Sequence, residues 1–178
     1  MNKVLFTSII FLQIIFASCT NQVKEESLNL NPKAVNRLLA KEEDYIKIQL
    51  TQLNSGHLSL YANLNKVKGH FILDTGASTS IIDRKNRKKF RLISKKSNKI
   101  AKTAGGIQLQ MEVSNENTIE FENLKLRNFK VSIVDLQHIN YSFHKMGIQD
   151  IDGIIGNDIL KNRKGVIDYD MLVLYLKK

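Results

Sequence analysis

The stretch Phe71-Ile72-Leu73-Asp74-Thr75-Gly76-Ala77-Ser78-Thr79 brings an apolar run to a lone carboxylate, then to a glycine and small residues. Such a run reads as a buried strand, and Gly76 as the turn at its end. Asp74 supplies acceptor oxygens, Thr75 a hydroxyl able to bond across to another backbone, and Gly76 freedom in φ, which together hold a carboxylate rigidly. One carboxylate at its ordinary pKa is a poor base at neutral pH. Two that share a site cannot both ionise, so one keeps a proton and the pair acts as acid and base together. The chemistry therefore asks for two Asp. The plain alternative is that Asp74 is a turn residue capping a strand.

Phe71 to Ser80 resembles the active-site strand and loop of retropepsin-like aspartic proteases, where an apolar run enters Asp-Thr-Gly-Ala. A second stretch, Asp152-Gly153-Ile154-Ile155-Gly156-Asn157-Asp158-Ile159-Leu160, is similar to that family's later apolar-apolar-Gly segment and the short helix after it. Between them, Thr103-Ala104-Gly105-Gly106-Ile107 resembles the family's flap, a glycine-bearing hairpin tip that covers substrate. The resemblance spans about Ile46 to Leu176. It implies Asp74, Thr75 and Gly76 as the catalytic loop and Ala104, Gly105, Gly106 and Ile107 as a substrate-binding flap. It also implies Ile154, Ile155 and Gly156 as a supporting loop, and a homodimer, because chains of this type carry one catalytic Asp each. No metal and no cofactor is implied.

The elements that must position these residues read as β material. Ile46, Ile48 and Leu50 alternate with polar residues, and after Asn54-Ser55-Gly56 so do Leu58, Leu60, Ala62 and Leu64, a hairpin followed by the strand that leads into Asp74. Ile107, Leu109, Met111 and Val113 alternate again as the return strand of the flap, and Ile119 to Val134 supplies further short strands. Alternation leaves one face buried and one wet, as in an antiparallel sheet or barrel. The segment from Gln137 to Gln149 is less regular; His138 and His144 in it lack spaced partners of ligand type and read as surface histidines. Asp150 and Asp152 precede the second motif, but in the family that segment carries no catalytic Asp, and Asp158 reads as a helix-capping residue. Val166 to Leu176 reads as two strands joined by a turn, of the kind that helps form the dimer sheet in the family.

At the other end, Met1-Asn2-Lys3, the apolar Val4 to Phe16 and small residues before Cys19 have the layout of an export signal, too short for a comfortable membrane span. Cys19, the only cysteine, resembles the lipidated cysteine of bacterial lipoproteins and would become the new N-terminus. An uncleaved anchor, or plain secretion with an incidental thiol, is the alternative. Thr20 to Ser27 is polar and suits a tether; Asn31-Pro32 starts a short helix that ends near Glu42-Glu43-Asp44. The predicted layout is thus a lipoprotein signal over 1–19, tether and helix over 20–44, and a protease-like domain over 45–178.

The 178 residues suffice for one domain of ordinary size, and 43% are hydrophobic, enough for a core. Lys and Arg number 27 against 17 Asp and Glu, a net charge of +10 that favours anionic partners without naming one. Much of it lies in the run from Arg84 to Lys102, which has no acid before Glu112. That run reads as a solvated surface, or as a face toward lipid headgroups or acidic substrates; with few aromatics in it, nucleic acid is the weaker partner.

The fold expected is an all-β retropepsin-like acid protease closed barrel with a flap hairpin and one short helix. The expected function is aspartic-type endopeptidase action on a peptide or protein substrate by a homodimer, lipid-anchored through Cys19 in a bacterial cell envelope. The alternative is a catalytically silent binding or scaffold lipoprotein of the same fold.

Overall fold

A computed structural model of the chain describes residues 44–102 and 108–178. Cys19, the tether and helix expected before residue 44, and the flap residues Ala104, Gly105, Gly106 and Ile107 lie outside the described residues.

Six strands close into a barrel: β3 (Leu58–Leu64), β4 (Val67–Leu73), β9 (Gly153–Ile155), β5 (Ile81–Asp83), β8 (Leu124–Val134) and β7 (Gln108–Phe121), which returns to β3 through Asn63↔Glu120 and Leu64↔Ile119. Short β2 (Thr51–Gln52) adds beside the start of β3, and β6 (Ser94–Lys102) pairs with the first part of β7 as a hairpin whose last described pair is Lys102↔Gln108. Most neighbours are antiparallel, but β4 with β9 and β5 with β8 are parallel. These parallel pairs draw the two sequence motifs together, since Leu73 lies beside Ile155.

The alternation works as physical chemistry requires. Phe71 and Leu73 of β4 point into the barrel with Leu60, Ile82, Ile119, Ile133 and Ile155, while Ile72 between them faces outward onto a second core of Val134, Leu136, Phe143, Ile148, Ile151 and Ile154. The second core is covered by helix α1 (Gln137–His144), which forms in the segment that reads as irregular. Its sequence has few apolar residues to mark a helical face; only Asn140 and Phe143 are buried, and Asn140 Nδ2 donates to Asp83 Oδ2 at 3.0 Å. The short helix expected after Gly156 is α2 (Asn157–Asn162).

The hairpin read from Ile46 to Leu64 is present only in its inner part, where β2 pairs with β3 across the turn closed by Leu53 N to His57 O; its first strand is corrected by the structure. β1 (Tyr45–Gln49) pairs with β11 (Val173–Lys177), at the far end of the sequence, and β11 also pairs with β10 (Val166–Asp168). The resulting three-stranded sheet runs β1-β11-β10 and packs Ile46, Ile48, Leu174 and Leu176 into the barrel core. Local alternation is the same whichever strand lies alongside, so the sequence pattern could not select the partner. Both edges of β11 are used within the chain, which leaves β1 and β10 as the edges of this sheet.

Candidate active site

Asp74 follows the last residue of β4, with its amide donating to Ile155 O at 3.0 Å, so the loop begins as a continuation of the parallel pair. Asp74 is half-buried; Thr75 and Gly76 are exposed. Gly76 N donates to Asp74 Oδ1 at 2.8 Å, and this bond fixes the carboxylate over the loop. The reason for glycine differs from the one expected: Gly76 does not have positive φ, but a Cβ there would stand 3.2 Å from Asp74 Oδ1. A side chain there would crowd the carboxylate by a few tenths of an ångström, and turn freedom is not what the position uses. Thr75 presents its side chain outward at the loop's edge, beside α2 and Ile167.

The second motif lies directly beneath. Asn157 N donates to Ala77 O at 2.7 Å, and Gly156 N donates to Ser80 Oγ at 3.1 Å. A Cβ on Gly156 would meet Ala77 O and the Thr79 carbonyl at 2.8 Å, so only glycine lets the two loops approach this closely. Ile154 and Ile155 are buried on opposite sides of β9, one in each core.

Ser80 and Asp158 are site residues that sequence reasoning missed or misread. Asp158 does not cap α2, whose N-cap is Gly156; its carboxylate accepts from Ser80 N and Ser80 Oγ, with a local bond to Ile159 N. Ser80 is 1% exposed, and its carbonyl accepts from Ser132 N at 3.0 Å, tying the loop to β8. The only sequence signal was the closeness of each to a motif, because the bonds cross from one motif to the other.

Asp150 and Asp152 stand elsewhere. Asp152 lies by His70, whose N–H it accepts at 2.9 Å, and pairs with Lys89 at 2.6 Å. His70 precedes Asp74 by four strand residues, about 13 Å. Asp150 pairs with Lys85 and His144 on the surface. The Lys85 hydrogen bond holds the Asp150 carboxyl below its usual range, helped by the charges of Lys85 and His144. His70 is pushed below the ordinary histidine value by burial, against the partial opposition of its acidic neighbours. Neither acid faces Asp74, in line with the reading that gave them no catalytic part.

At the base of the β6–β7 hairpin, Glu112 binds Ser94 and Arg87 and pairs with Arg84 at 3.4 Å. The Ser94 hydroxyl, then the two guanidinium groups, hold its carboxyl below the usual range. Part of the basic run is thereby paired: Arg84 and Arg87 share Glu112, Lys85 meets Asp83 and Asp150, and Lys89 meets Asp152.

A closed six-stranded barrel that holds a single Asp-Thr-Gly loop against an apolar-apolar-Gly loop defines the retropepsin-like class. The aspartyl protease family model matches residues 60–159, more than half the chain, and the chain belongs to that family. No curated protein sequence matches it. Among solved structures it is similar to a retropepsin-like aspartic protease from Rickettsia conorii, at 24% identity and a TM-score of 0.46, over 74% of this chain and 90% of that one. It is also similar to EIAV protease complexed with the inhibitor HBY-793, at 18% identity, TM-score 0.44, 58% and 85% coverage. A third is the retroviral protease-like domain of Ddi1 from Leishmania major, at 17% identity, TM-score 0.44, 64% and 82% coverage.

Proposed function

We propose that the chain is an aspartic endopeptidase that acts as a homodimer, with the Asp74 carboxylates of two copies flanking one water. The observation that carries this reading is the Asp74 carboxylate itself, half-buried and pinned by Gly76 N at 2.8 Å on a loop whose other side is clamped to the second motif. Membership of the aspartyl protease family supports it.

In the proposed reaction the ionised Asp74 takes a proton from water as the oxygen attacks the scissile carbonyl carbon. The protonated Asp74 of the other copy gives its proton to the carbonyl oxygen, forming a tetrahedral diol. Collapse breaks the C–N bond: one carboxyl gives its proton to the leaving nitrogen, the other carboxylate takes the proton of a diol hydroxyl, and the pair returns to one charge and one proton. Thr75, exposed at the loop edge, would brace the two loops across the dimer axis. The segment Ala104-Gly105-Gly106-Ile107 would close over the peptide as a flap and exclude water. A signal over 1–19 and a lipid on Cys19 would hold the enzyme in a bacterial cell envelope.

The use of both edges of β11 inside the chain favours a second reading, a catalytically silent binding or scaffold lipoprotein that stays monomeric. Among the described residues, this leaves β1, β10 and the loops for a homodimer to pair through. One experiment separates the two: digestion of a mixed peptide library by the full-length chain in detergent, beside Asp74→Asn, with sedimentation of the same samples. Cuts made by a dimer and lost in the variant support the peptidase. A stable monomer that cuts nothing at micromolar concentration supports the scaffold.

A further inference from the structure

Folding sorts the cations of the basic run. Four are consumed by Glu112, Asp150 and Asp152, whereas Arg91 and Lys95 have no acidic partner among the described residues. These two meet Lys66, from the turn between β3 and β4, along a groove of about 600 Å³ on the side of the barrel. Lys66 too has no ion-pair partner among the described residues. Glu116 is the one acid in the groove that opposes them; Glu120 is already paired with Lys125.

The groove is built rather than incidental. Its floor is Asn65 and Asn117: Asn65 Nδ2 donates to Phe90 O at 2.9 Å and to Asn117 Oδ1 at 3.0 Å, Asn65 Oδ1 accepts from Thr118 N, and Asn117 is 4% exposed. Asn65, Lys66, Arg91 and Glu116 all have φ between 51° and 67°. Asn65 and Lys66 are the two central residues of the β3–β4 hairpin, whose tight turn asks for positive φ at both, and the bonds of Asn65 tie that turn to the floor. On one lip Ile93 is 86% exposed, an apolar group among cations. Headgroups on a flat membrane suit cations on a convex face. A concave groove with cations around an exposed aliphatic side chain suits an extended peptide that carries acids and an apolar residue.

We propose that this groove is a binding site for an acidic peptide segment. Lys66, Arg91 and Lys95 would pair with its carboxylates, and Ile93 would cover an apolar side chain. Lys66 precedes Asp74 by the length of β4, roughly 25 Å. A substrate held in both places would carry its acidic segment at least about seven or eight extended residues from the bond to be cut. This role as a second contact for substrate rests on the peptidase reading; the binding itself does not.

The test uses the full-length chain in detergent with Asp74→Asn, so that nothing is cleaved, and a fluorescein-labelled peptide of four Glu-Glu-Leu repeats read by anisotropy. Exchange of Lys66, Arg91 and Lys95 together for Gln is expected to weaken binding about tenfold or more, and added salt to weaken it in the parent. Exchange of Lys88 and Lys96, cations outside the groove with no ion-pair partner among the described residues, is expected to change it less than about twofold. Equal loss in both variants would reduce the effect to general charge and overturn the site, as would no binding by the parent. Displacement of the peptide by phosphatidylglycerol added to the micelles, together with attachment to those micelles that the triple variant loses and the Lys88 and Lys96 variant keeps, would assign the groove to headgroups instead and overturn it too. Should the triple variant unfold in thermal melting, the three single exchanges, each expected to weaken binding about two- to threefold, decide the matter. Absence of peptide cleavage by the wild type would count against the peptidase and leave this measurement intact.

Discussion

Ser80 and Asp158, 78 residues apart, form a two-point bond: Asp158 Oδ2 accepts from Ser80 N at 2.9 Å and Oδ1 from Ser80 Oγ at 2.8 Å. Ser80 Oγ in turn accepts from Gly156 N, so one carboxylate holds the loop of Asp74 onto the segment beneath it. Asp158→Ala leaves the buried Ser80 donors without an acceptor and is expected to cost about 2–3 kcal/mol in urea unfolding. Asp158→Asn keeps an oxygen for Ser80 N but sets an N–H group against Ser80 Oγ and Ile159 N, both of which donate to Oδ1, and should recover only part of that loss. Equal stability of the Ala variant and the wild type would refute the clamp.

Gly156→Ala places a Cβ against backbone atoms of Ala77 and Thr79, which cannot swing away as a side chain would. A cost of about 1–3 kcal/mol is expected from overpacking, with the Asp74 loop displaced. Thermal melting gives the first number. The second is peptide cleavage, which should fall further than stability does.

Asp74→Asn is expected to keep the fold and its melting temperature while lowering kcat/KM by about 10²–10⁴-fold or more. The carboxamide still accepts from Gly76 N but takes no proton from water. Retention of cleavage in this variant would exclude Asp74 as the acid or base.

Ala77 has no hydroxyl to donate to the neighbouring carboxylates, which would favour their charged form. Activity is therefore expected nearer neutral than strongly acid pH, and Ala77→Ser should move the acid limb of the rate profile lower. A wild-type profile peaking at strongly acid pH and gone at neutrality would contradict this.

Stability should decline in acid. Glu112 is held below its ordinary 4.5, so the unfolded chain binds its proton more readily; the stabilisation is present above about 4.5 and is lost as pH falls through the folded value. His70, below its ordinary 6.5 through burial, acts in the same direction: its contribution is present above about 6.5 and lost as pH falls. Melting temperature is expected to drop as pH falls below about 6.5, through His70, and again below about 4.5, where the fall should be smaller in Glu112→Gln, which begins lower. The same slope in wild type and variant would remove Glu112 from the account.

The local sequence determined a good deal. Alternation in β1, β3 and β7 marked strands, since a residue's face in a strand follows from its parity alone. The run into Asp74-Thr75-Gly76 and the Ile154-Ile155-Gly156 segment marked the two loops through their own residue types. Only the tertiary structure decided which strand lies beside which, because hydrogen-bond ladders carry no residue code: β1 joined β11, and β9 came to lie against β4. It also assigned the long-range polar bonds. Asp158 read as a cap while its partner was unknown, and Arg84, Lys85, Arg87, Lys89, Arg91 and Lys95 read as one basic run until Asp83, Glu112, Asp150 and Asp152 came to pair with four of them. A charge's worth depends on what stands within a few ångströms, and that is set by the fold.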